Sequence, residues 1–277
     1  MSENSVNEMF NLKGKVSIVT GGSEWLGYDM ACALAEFGSD IIITSRTLDR
    51  AEDALGKIKT EYGVDTLALT MDQCNHDDVQ AMAEKAKAWK GHIDILINNA
   101  GGGSGKSTGY LFKRSPDDIV QMISTNLIGS LFCCQEVGRH MIEQGRGKII
   151  NIASAGGLVG RDRRIYERNN KEQQPIDYAA AKSGVIGMTM DLAGLLTPMG
   201  VHVNAISPGG FDKGDLPDGF VKDFGFVFLQ HPRRLSGSNF HPRTSVVSPT
   251  RRRDSIACKV SGFVVHNFWS FCWIDFA

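Results

Sequence analysis

The sequence predicts an α/β fold, a doubly wound parallel sheet with helices on both faces. Three observations carry this: six short apolar runs, amphipathic helical stretches between them, and turn-forming residues where several runs end. Runs that are apolar on both faces read as parallel strands covered by helices on each side. Regular alternation of strand and helix is the pattern of an open α/β sheet, not of a sandwich or a bundle. A chain of 277 residues suits one such domain.

The strands are expected at Val16–Thr20, Asp40–Ser45, Thr66–Met71, Ile93–Asn98, Lys148–Ala153 and Val201–Ile206. After the first, Leu26, Met30, Ala33, Leu34 and Phe37 recur at helical spacing and form one apolar stripe. Leu48–Tyr62, Asp77–Lys90, Pro116–Glu143 and Tyr178–Thr197 are the other helical stretches. Composition agrees with a packed core: 42% of residues are hydrophobic and 22% charged, which excludes wholesale disorder. A net charge of -1 gives no global field for nucleic acid or anionic membrane, and neither is expected as a partner. No run of apolar residues is long enough to span a bilayer. The opening MSENSVNEMFNLKGK lacks the apolar stretch of a signal peptide, and residues 1–12 are expected to be disordered. Six cysteines show neither metal-binding nor C-x-x-C spacing; they read as reduced thiols, so a cytoplasmic location and no metal site are expected.

The chain divides near Phe224. Residues 225–277 hold seven Lys and Arg against two Asp, and nine aromatics, whereas residues 1–224 hold 23 basic against 29 acidic residues. The domain is therefore placed at residues 13–224, followed by an atypical basic and aromatic tail.

Four motifs carry chemistry. Thr20-Gly21-Gly22-Ser23-Glu24-Trp25-Leu26-Gly27 follows the first strand and opens a helix. Such a turn presents backbone N–H groups and the helix dipole to a pyrophosphate, although a tight strand–helix turn alone would look the same. Asn98-Asn99-Ala100-Gly101 lies at the carboxyl end of a central strand, where open α/β sheets bind ligands. Tyr178 and Lys182, four residues apart, share a helix face, so an ammonium there can lower the phenol's pKa and make it a usable acid or base. Ser154 ends the fifth strand, and Asn126 sits inside the long fourth helical stretch.

In this order the motifs resemble the short-chain dehydrogenase/reductase family, over residues 13–212. The resemblance implies a Rossmann-like sheet and hydride transfer between a nicotinamide dinucleotide and a secondary alcohol or ketone. It implies Tyr178 as proton donor and acceptor, Lys182 favouring its phenolate and holding the ribose, Ser154 bonding the reacting oxygen, and Asn126 holding a water. Gly21, Ser23, Gly27, Ser45, Arg46, Asp72, Asn98, Ala100, Gly101, Lys182, Pro208 and Gly209 are implied to contact the cofactor. Ser45 and Arg46 at the end of the second strand favour NADP over NAD; Glu24 pulls the other way, because a carboxylate repels a 2′-phosphate. The resemblance is strongest to gluconate 5-dehydrogenase-like members acting on sugar acids and polyols, with 3-oxoacyl-carrier-protein reductases as rivals.

The chain also departs from the family. The stretch from Gly160 to Pro175 lengthens the segment between Ser154 and Tyr178, and its Arg161, Arg163, Arg164 and Arg168 read either as anion ligands or as a solvated loop. Trp25 stands where the family has a glycine that lets the backbone approach the pyrophosphate, so weakened dinucleotide binding is expected, and a catalytically impaired protein is the rival reading. The tail lacks the family's closing helices and final strand. It reads as an out-of-frame product, a divergent lid or a basic segment touching nucleic acid. A homodimer through the long helices is expected, whereas a tetramer, which also uses the final strand, is not.

Overall fold

The computed structural model describes residues 10–103, 105–211, 217–225, 229–230 and 265–266. Its main sheet contains six parallel strands: β1 (Val16–Thr20), β2 (Asp40–Ser45), β3 (Thr66–Thr70), β4 (Ile95–Asn98), β5 (Gly147–Ile152) and β6 (Val201–Ile206). Their order is β3-β2-β1-β4-β5-β6, so the chain winds outward from β1 in both directions and the order reverses between β1 and β4. Each strand lies within two residues of its expected position.

The strands form because their side chains are apolar on both faces. Ile18, Ile42, Leu96 and Ile149 point into one fully buried cluster, and Val19, Ile41 and Ile43 into another. Each such side chain contributes roughly 1.5–3 kcal/mol of burial. The first cluster is closed by α3 (His76–Lys90) and α5 (Gly129–Glu143), the second by α1 (Trp25–Glu36) and α2 (Leu48–Tyr62). α2 and α3 stop at Gly63 and Gly91, both in the left-handed conformation that glycine adopts without strain.

The fourth helical stretch is not one regular helix. α4 (Pro116–Ile123) passes through a π-helical turn, Ser124–Ile128, into α5. The Gly160–Pro175 stretch also gains a short helix, α6 (Arg163–Arg168), capped by Asp162, before the long α7 (Ile176–Leu196).

Residues 10–12, within the segment expected to be disordered, are among those described. Leu12 is buried and donates its N–H to the Phe37 carbonyl (2.8 Å), because an apolar residue here closes the lower edge of the second cluster. At the other end, β6 carries a two-residue antiparallel pairing with Val265–His266. Gly210–Phe211 pairs with Leu229–Gln230 in a separate small sheet. The rest of the 225–277 tail, and the readings made of it, lie outside the described residues.

Leu96→Ala is expected to lower unfolding free energy by about 2–5 kcal/mol, because the side chain is fully buried and the β-sheet beneath it cannot collapse into the void. The check is a lower urea midpoint with an unchanged m value.

Candidate active site

The site lies at the carboxyl ends of β1, β4, β5 and β6. The Thr20 hydroxyl accepts from the Asn99 and Ala100 N–H groups (both 3.0 Å) and donates to the Ile97 carbonyl (3.3 Å). Asn99 returns the contact, donating to the Thr20 and Gly21 carbonyls at 3.0 and 3.1 Å. The glycine turn and the turn after β4 are thereby locked together. Gly21 has φ 61°, and a Cβ there would come within 3.0 Å of Ala100 Cα; a Cβ on Gly27 would strike Asn99 Nδ2. The turn has room only for glycine at both positions.

The start of α1 fits a diphosphate. Glu24 makes no side-chain cap and the first turn contains no acidic residue, so the helix amides are not covered by a carboxylate. Ser23 lies in this turn, half-buried. Trp25 is the departure: it holds φ 53°, the left-handed region that costs a bulky residue about 1–3 kcal/mol, and it is 48% exposed. The indole therefore stays half open to solvent. At the end of β2, Ser45 accepts from the Thr47 N–H, and Arg46 is exposed. Glu24 faces Arg50 (3.6 Å), an arginine that the sequence reading passed over. Asp72, just beyond β3, is exposed, and one carboxylate oxygen accepts from the Cys74 N–H (2.9 Å).

The Asn98 side chain turns away from the crevice. Its amide, 2% exposed, turns into the core and donates to Asn151 (2.8 Å), which donates in turn to Thr189 (2.9 Å). Alternation along β4 sends consecutive side chains to opposite faces, so Asn98 points beneath the sheet end. Pro208 and Gly209 follow β6; the Pro208 carbonyl accepts from the Ala155 N–H (2.8 Å), joining the ends of β5 and β6. Beside them Ser207 keeps a buried hydroxyl with no partner among the described residues.

The structure brings Asn126, Ser154, Tyr178 and Lys182 to one place. The π-helical turn gives Asn126 its position, and its amide clamps the glycine loop: Oδ1 accepts from the Gly102 N–H (2.6 Å), and Nδ2 donates to the Gly102 and Met122 carbonyls (3.3 and 3.1 Å). Both ends of the amide are thus engaged by protein groups. A Cβ on Gly101 would lie 2.6 Å from Asn126 Oδ1 and 3.6 Å from Lys182 Nζ, so this loop runs directly over both. Gln73, also missed from the sequence, donates to the Ala100 and Thr125 carbonyls (2.9 and 2.6 Å) and ties that loop to the π turn.

Lys182 is 4% exposed and donates to the Ile152 carbonyl (2.7 Å). Burial pushes its amine down to about 8. Its Nζ is 5.8 Å from the centroid of the Tyr178 ring. The Tyr178 phenol stands above its ordinary value, because burial outweighs the opposing influence of the Ser154 hydroxyl and the charge of Arg161. This corrects the expected downward shift: the amine is directed at a backbone carbonyl, and the loss of solvent around the phenol dominates. Ser154 Oγ accepts from the Gly156 N–H (3.1 Å).

One residue before Tyr178, Asp177 forms a buried two-pronged pair with Arg114, with contacts of 2.8 to 3.1 Å. Arg114 also donates to the Ser107 and Thr108 carbonyls (both 3.3 Å). The loop ahead of α4 is thus tied to the start of α7. No local pattern marks this pair, since 63 residues separate the partners.

This geometry, at the reversal point of a 3-2-1-4-5-6 sheet, defines a dinucleotide-fold oxidoreductase. The family model for short chain dehydrogenases matches residues 15–218, and the chain belongs to that family of NAD(P)-dependent enzymes. It is 35% identical over 198 residues to a 3-oxoacyl-[acyl-carrier-protein] reductase of Aquifex aeolicus, covering 72% of this chain and 74% of that one. It is 31% identical over 223 residues to the 5-keto-D-gluconate 5-reductase of Escherichia coli K12, covering 80% and 81%. A solved structure of a gluconate 5-dehydrogenase from Burkholderia cenocepacia, in complex with NADP and tartrate, is 31% identical with a TM-score of 0.66, over 75% and 76% of the two chains. Among the described residues, no helix is long and apolar enough to cross a membrane.

Two outcomes follow from this geometry. The unfolded chain holds the Lys182 proton more tightly than the folded one between about 8 and 10.5, so the cost of burying the charge is relieved, and stability rises, as pH climbs through that window. In Lys182→Met that rise is expected to flatten, as read from urea midpoints across the window. Trp25→Gly is expected to tighten NADPH binding several-fold by removing the left-handed strain and the side chain at the turn, as read by nicotinamide fluorescence titration; unchanged affinity would count against a role for Trp25.

Proposed function

We propose that this chain interconverts a ketone and a secondary alcohol on a sugar-like acid or polyol, with NADP as the preferred nucleotide. The observation that carries the reading is the convergence of Tyr178, Ser154, Lys182 and Asn126 under the Gly101–Gly102 loop. A bound nicotinamide dinucleotide supplies the hydride for reduction and takes it back in oxidation.

The protein's own groups do the rest. In reduction, Tyr178 gives its phenolic proton to the carbonyl oxygen as the carbon becomes a carbinol; in oxidation it takes that proton back. Ser154, which neighbours Tyr178, donates to the same oxygen as negative charge builds on it. An amine held at about 8 lets Lys182 change protonation state near physiological pH, and the Ile152 carbonyl fixes its direction. Asn126 acts through the loop it clamps, keeping Gly101 and Gly102 over the reacting groups. Gly21, Ser23, Gly27 and Ala100 would hold the diphosphate end; Ser45, Arg46 and Asp72 the adenosine end; Gly101, Lys182, Pro208 and Gly209 the nicotinamide end.

The preference for NADP rests on Arg46 beside Ser45, and on the pairing of Glu24 with Arg50, which offsets the carboxylate that would otherwise repel a 2′-phosphate. The sugar-like substrate rests on the likeness to the 5-keto-D-gluconate reductase and the gluconate dehydrogenase. A homodimer fits the apolar side chains left exposed along the long helices, Val120, Ile128, Leu131 and Leu195. We place the protein in the cytoplasm, on the grounds of the four free thiols among the described residues.

Tyr178→Phe is expected to lower kcat by about 10²–10⁴-fold while NADPH binding by fluorescence stays intact; a variant with unchanged turnover would refute the assignment. Arg46→Ala is expected to weaken NADPH at least several-fold and leave NADH nearly unchanged, read as the two dissociation constants.

A further inference from the structure

The insertion before α7 carries four arginines, two of which have no carboxylate partner among the described residues. Arg164 closes on Asp162 (2.9 Å) and Arg168 on Asp223 (3.4 Å). Arg163 is turned to the Gln173 amide oxygen (3.1 Å) and the Gln174 carbonyl (2.8 Å). Arg161 differs from all three. Its guanidinium is half-buried, 5.5 Å from the centroid of the Tyr178 ring. It packs on Gly156, where a Cβ would come within 2.6 Å of Nη2; any larger residue would displace it.

Among the described residues, Nη1 of Arg161 alone finds acceptors, the Gln174 and Pro175 carbonyls, at 3.5 and 3.4 Å. Nε and Nη2 have none among the described residues, and this is the edge on which a guanidinium takes a carboxylate through two parallel hydrogen bonds. Asp177, the carboxylate next to Tyr178 in the chain, is already engaged by Arg114. Loss of solvent lowers the affinity of Arg161 for its proton, and the nearby Arg163 charge adds to this against the opposing influence of Tyr166 and Tyr178. An anion arriving beside Tyr178 would oppose that lowering.

We propose that Arg161 anchors a carboxylate carried by the substrate, so that the site selects hydroxy and keto acids over neutral molecules of the same shape. The inference rests on the oxidoreductase reading for what happens to the bound acid, but the binding step is measurable without turnover. The experiment is calorimetric titration of the full chain, saturated with NADP, with D-gluconate and lactate, each against its primary amide. Expected is about 10- to 100-fold tighter binding of an acid than of its amide, lost in Arg161→Gln and partly kept in Arg161→Lys, with amide binding unchanged.

Equal affinity for acid and amide in the parent, no binding of either acid, or a preference that survives in Arg161→Gln would overturn the proposal. So would a uniform loss for acid and amide together, which marks a structural role; circular-dichroism melting of both variants identifies misfolding, and Arg161→Lys then decides. NADPH oxidation with neutral ketones tests the oxidoreductase reading separately: turnover without acid preference leaves that reading standing and removes this one. Acid preference without any turnover does the reverse.

Discussion

The Thr20 hydroxyl at the reversal point of the sheet is the contact on which the rest of the site depends. β1 and β4 diverge there, and a crevice opens because the chain winds away on both sides. A single side chain accepting two N–H groups from one turn, with Asn99 reciprocating to the other, holds the crevice lips at fixed separation. Gly21 and Gly27 then have no freedom to be anything larger. The same lock sets the height of the Gly101–Gly102 loop, and through it the contact with Asn126 and the distance to Lys182.

Several polar groups are held in surroundings that oppose them. Lys182 is an amine in an almost dry place with one carbonyl for company, and Arg114 with Asp177 is an ion pair out of reach of water. Such groups rarely stabilise a fold in proportion to their contacts, since desolvation offsets much of the attraction. Their effect is positional. Arg114 and Asp177 tie the loop ahead of α4 to the first turn of α7, the turn that presents Tyr178, and Gln73 and Asn126 tie the π turn to the loop after β4. The strained backbone at Trp25 belongs elsewhere: it lies in the glycine turn after β1 and is not compensated by burial of the indole.

Most of the sheet was legible because strands apolar on both faces leave a short, continuous signature that few other structures share. The tyrosine–lysine pair was legible for a similar reason, since four-residue spacing on a helix is local. The π turn was not, because its residues Ser124–Ile128 continue the helical pattern on either side and carry no local mark of the change. Gln73 and the Arg114–Asp177 pair left no trace either, their partners being 27 to 63 residues away along the chain. The direction of the Asn98 side chain was not legible either, since it depends on the pleat of β4.

By itself, the sequence determined the doubly wound sheet, the positions of its six parallel strands, the glycine turn and the tyrosine–lysine spacing, all of which follow from periodicity or from close neighbours. The tertiary structure alone decided which of four arginines meets Tyr178, which asparagine faces the crevice, and whether the phenol's pKa goes up or down. Those outcomes depend on burial and on charges brought together from distant segments, and a linear order of residues does not contain the solvent that folding removes.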